Sequence, residues 1–274
     1  MSKTLTILLL LPLLLFGDDP FPPWIAYFSD KAPVESFKIY KWIALDRFEH
    51  PPIRPLLNQG KIVFGYVTLG EVDNFEPWFN EVVKEGITFH ANPVWEESLM
   101  VDMRDPRWSK RVIEKVIPFV LHKGFNGLFL DTVDNAANLE EEDPEKYKGM
   151  KQAAIKLVKA IRLNFPDIKL MMNRGLDVAS EVANDIDFII GEDVFSQYDQ
   201  KRKIYFRTTR KQTDKDLALM RAAKKINPNL VLLSLDYADP TNRSERATIY
   251  RLAKDAGLDP YVGTIDLDQI IPPP

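Results

Sequence analysis

The sequence predicts a single-domain (β/α)8 barrel, and three observations carry that prediction. Eight short runs rich in β-branched and aromatic residues recur along the chain, apolar on both faces as parallel strands covered by helices must be. Amphipathic stretches with recognisable caps separate them. The first run ends in Phe28-Ser29-Asp30-Lys31 without a glycine, whereas the competing open doubly wound sheet carries a Gly-rich phosphate turn there. At 274 residues the chain is long enough for one such barrel.

In order, the strands are expected at Trp24–Phe28, Ile39–Leu45, Lys61–Leu69, Gly127–Leu130, Lys169–Met172, Ile186–Ile190, Leu230–Leu235 and Tyr261–Ile265. Asp105 and Pro106 form an N-cap and first-turn pair for a helix through His122, which Gly124 stops. Glu145–Asn164 carries Ala153, Ile155, Leu157, Val158 and Ile161 at helical spacing, with Pro166 beyond it. Asp214–Ile226 and Ser244–Ala256 read the same way, and Gly257 ends the second. The connection from Leu69 to Gly127 is too long for one helix, so an extra strand is expected at Ser98–Met103. No repeat, low-complexity tract or linker divides the chain.

The first residues stand apart. Lys3 precedes an apolar run from Leu5 to Phe16, and the small Gly17 follows. That run is about half of the roughly 20 residues a membrane-crossing helix needs. It matches a secretory signal peptide over residues 1–17, leaving a barrel domain at 18–274 that is secreted or periplasmic. Membrane contact is expected only if this leader stays uncut. The net charge of −4 implies no basic face for a phosphate backbone, so nucleic acid is not an expected partner. Without cysteine there is no disulfide scaffold, thiolate zinc site or cysteine nucleophile.

The informative pattern lies at the carboxyl ends of the strands. Asp46, Glu71, Asp131, Asn173, the pair Glu192-Asp193, Asp236 and Asp266 all follow predicted strands, and in a barrel these ends converge on the face that carries active sites. Any one of them could cap the following helix. Asp131 closes G-F-N-G-L-F-L-D, with Asp134 on the loop beyond, and Glu192 closes I-I-G-E two strands further round. Two carboxyl groups facing across a cleft are the minimum for glycosidic cleavage, since one protonates the leaving oxygen and the other attacks or activates water. Asp131 and Glu192 are therefore the expected catalytic pair. The longer Glu192 is expected to deliver the proton and the shorter Asp131 to attack. Tyr27, Tyr66 and Tyr237 offer rings for the C–H faces of sugars, and Trp24 and Tyr261 are placed near the same mouth. Trp78, Trp95 and Trp108 are expected to pack under the long third connection. Glu71, Asp134, Asn173, Asp193 and Asp236 complete the expected substrate contacts.

Other chemistries lack their residues. No G-x-S-x-G elbow or G-x-G-x-x-G turn occurs, and the three histidines share no ligand spacing. No cofactor and no metal are expected. A non-catalytic glycan-binding barrel and a carboxylate-metal hydrolase remain as alternatives.

The segments WIAYF, GYVTLGEVDNF, LMVDMRDPRW, GFNGLFLDTVDN, MMNRG, FIIGEDVF, LDYAD and GLDPYVGT together resemble a family of extracellular glycoside hydrolases related to endo-α-1,4-polygalactosaminidase. The resemblance spans about residues 22 to 272. It implies a (β/α)8 barrel acting on α-1,4-linked galactosamine-containing polysaccharide or amino-sugar oligomers, with the catalytic carboxylates at Asp131 and Glu192. It also matches Glu71, Asn173, Asp236 and Tyr237 to further positions at the mouth.

Overall fold

The computed structural model describes residues 24–274, so the leader expected at 1–17 lies outside the described residues. Eight parallel strands form the central sheet: β1 (Trp24–Tyr27), β2 (Trp42–Leu45), β3 (Ile62–Thr68), β4 (Gly127–Asp131), β5 (Lys169–Asn173), β6 (Phe188–Glu192), β7 (Val231–Tyr237) and β8 (Asp259–Gly263). Each pairs with the next in chain order. The two edges meet where the Trp24 indole donates to the Asp259 carbonyl at 3.0 Å and the Phe28 N–H donates to the Leu267 carbonyl at 2.8 Å. The result is the expected barrel, nearly closed.

Rings from strands that are not neighbours fill its interior. Trp42 on β2 and Phe64 on β3 both meet Phe188 on β6, with centroids 4.8 and 5.4 Å apart. Only residues pointing inward can meet across the ring, so these contacts fix which face of each strand is inside.

The helices start and stop where side-chain caps allow. Asp105 accepts the Arg107 N–H at 2.8 Å, and the rod runs through Pro106–Arg111, Val112–Val116 and Ile117–His122. Its middle stretch is π-helical. Pro118 cannot donate to the carbonyl four residues back and its ring would strike it, which the wider turn accommodates. Thr209 and Asn242 cap the helices Arg210–Ile226 and Arg243–Ala256, and Gly257 ends the latter at φ +86°.

Several boundaries differ from the expected ones for local reasons. β2 begins at Trp42 instead of Ile39, because the buried Lys61 ammonium gathers the carbonyls of Phe37, Lys38 and Tyr40 at 2.9, 3.1 and 2.6 Å and holds that segment as a turn. The helix expected from Glu145 runs Met150–Asn164, since Gly149 sits at φ +92°. The helix expected from Asp214 starts earlier, at the Thr209 cap. The long third connection holds a three-stranded antiparallel sheet of Glu71–Asp73, Ser98–Val101 and Thr88–Ala91, of which only the middle strand was expected. A hairpin of Ser196–Asp199 with Ile204–Arg207 follows β6. Among the described residues no helix is long and apolar enough to cross a membrane.

Candidate active site

Strand register and the two-residue side-chain period bring five polar side chains to one end of the barrel. Tyr66 precedes the end of β3 by two residues, and Asp131, Asn173, Glu192 and Tyr237 end β4, β5, β6 and β7. All five line one cleft of about 1120 Å³. Immediately after Asp131, Asn173 and Glu192 the backbone turns through left-handed residues that are not glycine: Thr132 at φ 59°, Arg174 at φ 53° and Asp193 at φ 62°. Such conformations cost energy and persist where surrounding bonds enforce them. Thr132 is held by the N–H groups of Leu69 and Gly70, which donate to its hydroxyl at 3.1 and 2.8 Å.

Asn173 joins the two carboxyl groups. Its single amide nitrogen donates to Asp131 Oδ1 at 2.9 Å and to Glu192 Oε2 at 2.7 Å, so those two oxygens lie within 5.6 Å of one another. The Tyr66 hydroxyl donates to Asp131 Oδ2 at 2.7 Å, and the Tyr237 hydroxyl donates to Glu192 Oε1 at 2.5 Å. Arg174 adds its Nε to Glu192 Oε2 at 2.8 Å and bridges to Asp193. Nothing in the sequence pattern marked Arg174. It lies in the MMNRG turn, but only its left-handed backbone aims the guanidinium back at the rim.

The charges of the pair are unequal. Burial, reinforced by the neighbouring Glu192, pushes Asp131 up to about 7 despite the donors Tyr66 and Asn173. Burial also acts to raise Glu192, but the Arg174 guanidinium and the donors Tyr237 and Asn173 outweigh it and hold Glu192 below the usual glutamate value. As pH falls toward neutrality the pair therefore takes up its first proton, which burial favours on Asp131 and the Arg174 guanidinium disfavours on Glu192. Asp193 is likewise raised to about 7 by burial and by Glu192.

The remaining expected residues divide. Glu71, Asp134 and Asp193 line the cleft with the pair. Tyr27 does not: it is buried on the outer side of β1, where its hydroxyl accepts the Ala32 N–H at 2.9 Å and its ring packs on Phe37. Phe28, one residue on, takes the inward position against Tyr66 and Phe129. Asp236 is also turned away from substrate. It is fully buried, and one of its oxygens accepts the N–H groups of Phe195 and Ser196 at 2.7 and 3.0 Å, fastening the segment after β6. β7 extends one residue past Asp236, so the two-residue period gives the mouth to Tyr237. Trp24 and Tyr261 are buried against each other across the barrel closure, away from the mouth. Trp78 and Trp108 pack under the third connection as expected, whereas Trp95 is half exposed on the cleft rim. Asp46 also lines the cleft, but one of its oxygens caps a turn through the N–H groups of Phe48 and Glu49 at 2.6 and 2.7 Å. Among the described residues no group of three or more His, Asp or Glu side chains is placed to hold a metal ion.

Residues 23–272 match the sequence model of glycoside-hydrolase family GH114. The chain belongs to that family. It is a glycoside hydrolase, and the barrel has the fold of solved GH114-like structures. The glycoside hydrolase domain of PelA from Pseudomonas aeruginosa superposes with a TM-score of 0.79 at 22% identity, over 90% of this chain and 96% of that one. Aspergillus fumigatus Ega3, solved in complex with galactosamine, gives a TM-score of 0.65 at 13% identity, over 90% and 92% of the two chains. An uncharacterized protein of Thermotoga maritima is 22% identical over 276 residues, 91% of this chain and 82% of that protein.

Proposed function

We propose that this GH114 protein cleaves a galactosamine-containing polysaccharide outside the cell, by a retaining mechanism in which Asp131 and Glu192 are the reacting carboxyl groups. The observation that carries the reading is the Asn173 bridge, which keeps the facing oxygens within 5.6 Å. Retaining glycosidases place their carboxyls about 5–5.5 Å apart, and inverting ones roughly 6.5–9.5 Å apart to admit a water.

The chemistry follows from one proton shared by two acids. The protonated carboxyl gives its proton to the glycosidic oxygen as the bond to the anomeric carbon breaks. The ionised carboxyl attacks that carbon and forms a glycosyl ester, while the aglycone sugar leaves with the proton. The first carboxyl, now ionised, takes a proton from water as the water oxygen attacks the anomeric carbon. The ester bond breaks, and the pair returns to its singly protonated state. Tyr66 and Asn173 steady Asp131, and Tyr237, Asn173 and Arg174 steady Glu192. Positioned donors of this kind are most effective where water is excluded.

A cationic sugar suits the cleft, whose wall carries ten Asp or Glu residues against three Arg or Lys. The galactosamine held by the structurally similar Ega3 supports the same substrate class. The apolar leader at Met1–Gly17 supports action outside the cell. The test incubates the protein with defined α- and β-linked polysaccharides, α-1,4-galactosamine polymers among them, and counts reducing ends. Release from the galactosamine polymer by the wild type, with none by Asp131→Asn or Glu192→Gln, is expected. Full activity in either variant would remove that residue from the reaction.

A further inference from the structure

We propose that Glu71 is the ammonium acceptor of the cleft, the side chain that makes a free amino group on the sugar a condition of tight binding. The proposal rests on the amino-sugar reading above and names the residue that enforces it.

Glu71 opens the small strand Glu71–Asp73 on the cleft wall beside β4, with only 4% of its surface exposed. Two side-chain amides donate to the same oxygen: Asn92 Nδ2 reaches Oε1 at 2.7 Å and Asn135 Nδ2 reaches it at 2.6 Å. Oε2 receives no hydrogen bond among the described residues, yet it is not sealed from the cleft. The carboxyl group is thus oriented by neutral donors and left with one open oxygen.

It is also left without a counter-ion. Arg47, the cation of this wall, is engaged by Asp73 at 3.7 Å and by Glu76. Among the described residues no Lys, Arg or His nitrogen forms an ion pair with Glu71. Asp73 and Asp134 add further negative charge, and Glu71 is raised above its usual value, chiefly by burial. A buried carboxylate is expensive unless it is paired. A sugar ammonium supplies both missing elements at once: a donor for Oε2 and the opposite charge. A hydroxyl supplies only the donor, and an N-acetyl group supplies no charge and adds bulk.

The test measures binding, so it does not depend on turnover. Wild type, Glu71→Gln and Glu71→Asp are titrated calorimetrically with galactosamine, N-acetylgalactosamine and galactose, and each variant's folding is checked by its thermal midpoint. The wild type should favour galactosamine over the other two. Glu71→Gln should weaken galactosamine binding on the order of ten- to a hundredfold, the range of a charge-assisted hydrogen bond, and leave galactose binding little changed. Glu71→Asp, which keeps the charge but withdraws it, should fall between them and serves alone if the Gln variant does not fold. Equal binding of the three sugars by the wild type, or a preference undiminished in the variants, would overturn the proposal. A preference that depends on Glu71 in a protein that cleaves no amino-sugar polymer would leave the acceptor standing and sink the hydrolytic reading instead.

Discussion

Replacing Asp131 by Asn should stabilise this protein while abolishing its activity. Burial and the adjacent Glu192 raise Asp131 from 3.8 to about 7. For an acid whose folded value lies above its unfolded one, the penalty is absent below the unfolded value. It grows as pH rises between the two values and is complete above the folded one. At about 1.36 kcal/mol per pH unit the wild type gives up about 4 kcal/mol above pH 7 to keep this carboxyl where it is. Asparagine removes the charge, but its amide must still be desolvated, and its NH2 takes the place of one of the two oxygens that accept from Tyr66 and Asn173, so it faces one of those donors. The net gain is therefore expected at about 1–3 kcal/mol. For a domain of this size that is roughly 3–9 °C in Tm. Scanning calorimetry of both proteins at pH 7.5 and pH 4.5 reads it directly. The gain should be clear at the higher pH and nearly gone at the lower. A variant no more stable than the wild type at pH 7.5, or one stabilised equally at both, would refute the reasoning.

Other outcomes follow from the same structure. The pH profile of kcat/KM should fall above about 7, where the pair loses its one proton. Its acid limb should lie below the usual glutamate range, because Arg174 and the donors around Glu192 outweigh burial. Arg174→Gln should move that acid limb to higher pH, and an unmoved limb would show that Arg174 does not set the charge of Glu192. Asp236→Ala leaves the Phe195 and Ser196 N–H groups without their acceptor and should cost about 2–5 kcal/mol in denaturant unfolding. Asp236→Asn, which keeps an acceptor oxygen, should cost less and leave KM near that of the wild type, whereas a raised KM would return Asp236 to the substrate site. A Cβ on Gly70 would stand 2.4 Å from the Thr132 carbonyl oxygen, so Gly70→Ala should destabilise by about 1–3 kcal/mol and lower kcat/KM by displacing Glu71.

The eight strands and the carboxyl-bearing ends of β4 and β6 were legible because a barrel strand is a short, uninterrupted apolar run and a charge at its end breaks that run sharply. Which way a side chain points was not legible. Both faces of these strands are apolar, so the pattern does not show inside from outside, and the loss of Tyr27 and Asp236 from the site came from that. Phe28 and Tyr237, each one residue further on, hold the inward positions. Arg174 was hidden for a different reason: its role depends on a left-handed backbone that an arginine in a turn does not advertise. The added strands Glu71–Asp73 and Thr88–Ala91 are three and four residues long, too short to show a period. Asn92 beside Glu71 therefore appeared only once the chain was folded.

The spacing set by Asn173 is tested most directly by the configuration of the first product. Proton NMR of the reducing ends released within the first turnovers, before mutarotation, distinguishes the two courses. An α-linked polymer should yield α-anomers, equilibrating later to the mixture, through a glycosyl ester formed on one of two oxygens no more than 5.6 Å apart. Initial β-anomers would mean that water attacks directly across a wider gap, and Asp131 and Glu192 could not then be working as the pair this geometry describes.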